Sequence, residues 1–239
     1  MSRATRIAVA ALSLFVFGNP GQARAGLSKA DSIIAASKRA TGGANWDKLP
    51  GCYEEGVRSG GATYKTWFSF RRYGLRNEGS RGGATRMRGF NGQSSWQITA
   101  DGGIEATTDP EVLKESILTA YLSTNGFYFP KRFPAVTTYL RETGKDGHIY
   151  DVVEVAPTGA RPLEIWFDQK THLIRRVVDI QGAPPVTVEA DDYRRVGKVL
   201  VAFSLTVFGP DGTMFDKGNV TALNCQSVDE TMFEPPKKR

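Results

Sequence analysis

Two histidines, His148 and His172, and two cysteines, Cys52 and Cys225, have the widest chemical range in this 239-residue chain. A hydrolase needs a nucleophile with a base in reach. His148 precedes a strand pattern, and His172 falls in a hairpin turn. Neither has Ser or Cys beside it in sequence, although folding could bring one close. The stretch Gly92-Gln93-Ser94-Ser95-Trp96 only partly echoes the Gly-x-Ser-x-Gly turn of serine hydrolases. Glu54-Glu55 and Asp191-Asp192 are acidic pairs in strand patterns. Adjacent strand residues point to opposite faces, so neither pair forms a carboxylate dyad by itself. The glycines sit between strands, not before a helix as a phosphate-binding loop requires. Two histidines and two cysteines make no dense ligand set, so no metal and no cofactor is expected. The chain reads as non-catalytic, with a hydrolase using His148 or His172 as an alternative.

The first 25 residues read as an export signal. Arg3 and Arg6 lead into Ile7–Phe17, apolar except for Ser13, followed by Gly18-Asn19-Pro20-Gly21 and Ala23-Arg24-Ala25. A charged start, a short apolar run and a small-x-small site mark a secretory signal peptide, with cleavage expected after Ala25. The apolar run falls short of the roughly 20 residues that span a bilayer. Gly26 follows the cut, not a lipid-accepting Cys, and no later stretch is apolar enough to cross a membrane. The expectation is a periplasmic protein that does not span the membrane.

Net charge is +6, half of it from Arg3, Arg6 and Arg24. The remaining excess is mild and spread over pairs such as Arg71-Arg72 and Arg194-Arg195, so no nucleic-acid partner is expected. In an oxidising compartment Cys52 and Cys225 are read first as a disulfide. It would enclose most of the exported domain, where the chain-entropy model gives about 5 kcal/mol as an upper value. Two separate buried thiols are the alternative.

These residues need elements to hold them. Leu27–Ala40 predicts a helix capped by Ser28, with Asp31 completing an approximate capping box. From Gly51 the period changes to two. Short strands separated by Gly60-Gly61, Gly74, Gly82-Gly83 and Gly92 predict an antiparallel meander. Within Thr63–Tyr73, Tyr64, Thr66, Phe68 and Phe70 share one face; Lys65, Trp67, Ser69 and Arg71 share the other. Thr108-Asp109-Pro110-Glu111 starts a second helix, with Leu113, Ile117, Ala120 and Tyr121 at helical spacing and Gly126 as its stop. Phe127-Tyr128-Phe129-Pro130 forms an aromatic knot after it. Strands then resume, with turns at Asp168–His172 and Gly209-Pro210-Asp211-Gly212. Residues 26–239 read as one mainly β (α+β) domain.

Aromatic side chains on such a sheet can fill a core or line a cavity. Trp67, Phe68, Phe70, Trp96, Tyr121, Phe127, Trp166 and Phe203 are candidates for a cavity or its mouth, with strand parity sending about half of them outward. An acyl chain suits such a space at ~0.8 kcal/mol per buried methylene.

Four segments carry a family resemblance. They are Ala36–Pro50 around Ala40-Thr41-Gly42-Gly43-Ala44-Asn45-Trp46, Trp166–Arg175, Asp192–Phe203, and Asn224–Pro236 with Val228-Asp229-Glu230-Thr231-Met232-Phe233. Their order and spacing resemble the periplasmic LolA, LolB and RseB superfamily of lipoprotein carriers and sensors. That resemblance implies a curved antiparallel half-barrel of about eleven strands, closed by a few helices around an apolar cavity. It also implies a partner class: lipid or lipoprotein acyl chains. An envelope protein partner, docked on the sheet of an interaction or stress-sensing module, is the alternative. No cavity arginine is transferable by motif.

Overall fold

The computed structural model describes residues 27–226 and 228–237; the expected signal peptide and the basic Lys238-Arg239 end lie outside them. Helix α1 spans Lys29–Thr41. Its first turn is capped by Ser28, whose Oγ accepts the Asp31 N–H at 3.0 Å. Strands β1 (Gly51–Arg58), β2 (Thr63–Ser69), β3 (Leu75–Arg81), β4 (Ala84–Phe90), β5 (Ser95–Ile98) and β6 (Ile104–Thr107) form a continuous meander. Helix α2 (Pro110–Ser123) follows, with Asp109 accepting the Glu111 N–H and Pro110 in the first turn. Strands β7 (Ala135–Lys145), β8 (His148–Pro157), β9 (Leu163–Asp168), β10 (Ile174–Asp179), β11 (Val186–Val196), β12 (Val199–Phe208) and β13 (Met214–Asn224) form a second meander.

All thirteen strands join one antiparallel sheet in the order β6-β5-β4-β3-β2-β1-β13-β12-β11-β10-β9-β8-β7. Every pairing is between sequence neighbours except β1 with β13, which stitches the two meanders together. The sheet curves into an unclosed half-barrel. The resemblance implies about eleven strands, and thirteen form. The stretch Ile104–Thr107 pairs with β5 through a tight hairpin, although it carries too few apolar residues to register as a strand. Gly218, read as a break between two short strands, lies inside β13, where it faces Leu205 on one side and Arg58 on the other.

The helices and the segment Gly126–Phe133 cover one end of the concave face. Helix α2 stops at Ser123, three residues before the expected Gly126, and Asn125 takes the left-handed conformation at φ 48°. Gly126 is needed for a different reason: a Cβ there would collide with the Tyr121 ring. Cys52 and Cys225 are joined by a disulfide across 173 residues, where β13 ends beside the start of β1.

Candidate functional site

The interior beneath the helices is closed by aromatic packing. Phe70 is the hub, edge-on to Trp46 at 5.9 Å, Phe68 at 5.7 Å and Phe129 at 5.6 Å between ring centroids. Phe127 meets Tyr128 and Phe167 edge-on, the geometry favoured by ring quadrupoles. Polar tips inside this layer are mostly paired. Tyr128 Oη and Ser37 Oγ lie 2.7 Å apart, and Trp46 Nε1 donates to Thr41 Oγ1. Tyr73 and Tyr121 are exceptions, because their buried hydroxyls have no hydrogen-bond partner among the described residues. Burial pushes the Tyr73 phenol up to about 12 and raises that of Tyr121 further. An unpaired buried hydroxyl costs stability. Tyr121→Phe is therefore expected to raise stability by about 1 kcal/mol, measured by urea denaturation; a loss would show that the hydroxyl has a partner in solution.

The aromatic candidates divide by face. Phe68, Phe70, Tyr121 and Phe127 belong to the packed interior. Phe203 lies on the same face of β12 as Val199 and Val201, which also join that interior. The three tryptophans point the other way. Trp67 pairs with Tyr53 and Arg76, while its neighbour Phe68 pairs with Cys52 and Leu75 in the core. Trp96 shares the Trp67 row through Gly89 and is roofed by the C-terminal segment, its Nε1 donating to the Phe233 carbonyl at 2.7 Å. Trp166 alternates with core residues Ile165 and Phe167. It stacks between the guanidinium groups of Arg141 and Arg176 at 5.8 and 5.0 Å. These tryptophans are anchors of the convex face, not walls of a shared cavity.

A second apolar surface continues along the concave face beyond the helices. Register places Val188 opposite Val207, and Ala190 opposite Leu205. Phe203 and Val220 extend that face by the two-residue period of their strands. Among the described residues helix α1 meets β12 near its Val199 end, and towards the other end Ala190, Phe203 and Val220 are buried, while Val188 and Val207 are half-buried. Leu205 is 40% exposed. The Arg194 guanidinium lies 4.9 Å above the ring of Phe203 and is held by Asp192. Sequence reasoning named Phe203 as a candidate and not the valines or Leu205, since an apolar strand residue gives no sign of what will cover it.

A further carboxylate, Glu54, sits half-buried on this concave face. Glu54 pairs with Leu223 and Thr66 across β13 and β2. Burial raises its carboxyl above the ordinary glutamate value, against the opposing pull of the Tyr64 hydroxyl and the Arg58 guanidinium. A raised folded-state pKa means that ionised Glu54 costs stability. The cost is absent below about 4.5, the unperturbed value, and appears as pH rises through the folded-state pKa. Glu54→Gln is expected to raise the melting temperature at pH 7 and to leave it unchanged near pH 4. Equal gains at both pH values would place the cause elsewhere.

The histidines are held in the β8–β9 region. His148 Nδ1 lies 2.8 Å from Asp168 Oδ2, whose other oxygen accepts the Thr171 N–H and hydroxyl. These bonds outweigh burial and hold the Asp168 carboxyl below its usual value. The arrangement closes the β9–β10 turn, where His172 adopts φ 58°. Among the described residues no serine hydroxyl hydrogen-bonds to either histidine, and both cysteine sulfurs are in the disulfide.

Two open clefts lie outside the aromatic interior. One, about 180 Å³, is lined by Tyr53, Trp67 and the C-terminal residues Val228, Asp229 and Met232. The other, about 450 Å³, is at the opposite end of the sheet around Arg58, Arg81 and Phe215.

No family model matches the sequence, and no curated protein matches it. Solved structures do. A LolA superfamily protein from Nitrosomonas europaea superposes with a TM-score of 0.59 at 10% identity, covering 87% of this chain and 98% of that one. A putative outer membrane lipoprotein-sorting protein domain from Vibrio parahaemolyticus gives 0.55 at 14% identity, covering 86% and 96%. A DUF1329 family protein from Desulfovibrio piger gives 0.55 at 13% identity, covering 87% and 98%. At these identities the likeness shows the fold: a LolA-like half-barrel.

Proposed function

We propose that this LolA-like chain is a non-catalytic periplasmic binding protein that carries or senses lipid or lipoprotein acyl chains. The observation that carries the reading is the apolar strip of β11–β13, exposed at Leu205 and overlaid at Phe203 by Arg194. A hydrocarbon chain laid along Leu205 and Val207 would bury surface that water now reaches, at ~0.8 kcal/mol per methylene, and moving Arg194 would admit it to the buried Phe203. Moving one exposed cationic side chain costs far less than parting the aromatic interior, so the strip is the entrance. The lipoprotein-sorting description of one structural neighbour agrees with this guest class. The exported location rests on the leader read in residues 1–25.

Native mass spectrometry of the protein isolated from the periplasm tests the reading. A co-purifying lipid mass that is lost on Leu205→Glu supports it; an apo mass throughout gentle conditions overturns it. A second reading has its own observation. Strand β7 is an edge of the sheet, and Val136 on it is 69% exposed. An unpaired edge with exposed apolar side chains suits a protein partner that adds a strand.

A further inference from the structure

The larger cleft is built from three hairpin turns at the end of the sheet opposite the disulfide. Arg58 ends β1, Arg81 ends β3, and Phe215 and Asp216 begin β13. The two arginines differ in partnership. Arg58 Nη1 donates to Asp216 at 2.6 Å, whereas Arg81 has no carboxylate within 4.0 Å among the described residues. The Arg81 Nη2 lies 3.2 Å from the place a Cβ would occupy on Gly60, which adopts φ 74°. A side chain there would push the guanidinium away, so the glycine lets Arg81 lie against the turn. Gly61, at φ 76°, leaves open space beside it. Two cations face one carboxylate in a cleft with room for a small anion.

Two exposed apolar side chains stand beside the cleft. A bulge in β13 shifts the register from Val207–Asp216 to Phe208–Met214 and turns Phe215 outward. Phe215 is 54% exposed and Met214 53%. Leu205, from the concave strip, shares a cross-strand row with Gly218 and Arg58. The strip and the cleft therefore meet at this rim.

We propose that the Arg58–Arg81 cleft binds the phosphate of an anionic phospholipid headgroup, with Phe215 and Met214 set into the adjoining apolar layer. Planar guanidinium groups match phosphate oxygens in a fork. A free phosphate would gain nothing from the two exposed apolar side chains, and this favours the lipid. The choice of lipid rests on the carrier reading above, while the anion site stands on its own geometry.

Sedimentation with vesicles tests it, using equal parts phosphatidylglycerol and phosphatidylcholine against phosphatidylcholine alone. The wild-type protein is expected to bind the anionic vesicles preferentially. Arg81→Gln is expected to weaken that binding about tenfold, and Phe215→Ser to weaken it with the arginines intact. Circular dichroism confirms that each variant is folded. Undiminished vesicle binding by a folded Arg81→Gln overturns the site. Saturable binding of inorganic phosphate without vesicle retention overturns the lipid assignment. The carrier reading is scored separately: lipid masses retained by Arg81→Gln in native mass spectrometry leave it standing when the headgroup site fails.

Discussion

Replacing Cys52 and Cys225 together by alanine is expected to destabilise the fold by about 2–5 kcal/mol. The bond closes 173 residues, so nearly the whole described domain lies within one loop. The chain-entropy model gives about 5 kcal/mol for a loop of this length as an upper value. It also secures the one pairing that sequence proximity does not, because β1 and β13 are the only neighbours in the sheet that come from opposite ends of the chain. Two meanders can each form from local hairpins, but their junction must be found across the full loop. Urea denaturation of the oxidised, reduced and double-alanine proteins measures the effect. Equal midpoints for all three would mean that β1–β13 pairing and core contacts suffice without the bond.

Phe70→Ala is expected to cost about 3–5 kcal/mol. Phe70 is almost fully buried and touches rings from the segment after α1, from β2 and from the aromatic knot. Its loss would leave a cavity bounded by three separate elements, none free to collapse alone. Total stabilities of domains run to about 5–15 kcal/mol, so the variant would be close to unfolding. The same substitution separates two roles for the aromatic residues. If Phe70 is structural, Phe70→Ala lowers the denaturation midpoint while the residual folded protein keeps its lipid. A variant of unchanged stability that loses lipid would put the guest inside the aromatic layer.

The meander, both helices and their caps were legible because each rests on local signals: period-two alternation, glycine turns, Ser28 and Asp109-Pro110. The split of β2 into a Phe68 face and a Trp67 face was legible for the same reason. What each face would meet was not. Trp96 looks like any apolar strand residue, and its burial under the C-terminal segment depends on Phe233, more than 130 positions away. Phe127 and Tyr121 were candidates for a cavity or its mouth and lie in the packed interior, because the packing of the knot against α1 and α2 is decided only in three dimensions. The strip at Leu205 and the Arg81 cleft escaped attention for a complementary reason: exposure arises from where helices stop and how hairpin turns converge.

A nitroxide-labelled stearate in a methyl-resolved NMR titration most directly tests whether an apolar guest occupies the strip at Leu205. The methyl groups of Leu205, Val207 and Val220 are expected to broaden first and saturably, while those of Val153 and Ile165 beneath the helices stay sharp. Broadening that begins at Val153 and Ile165, or none at saturating stearate, would contradict a guest site on the strip.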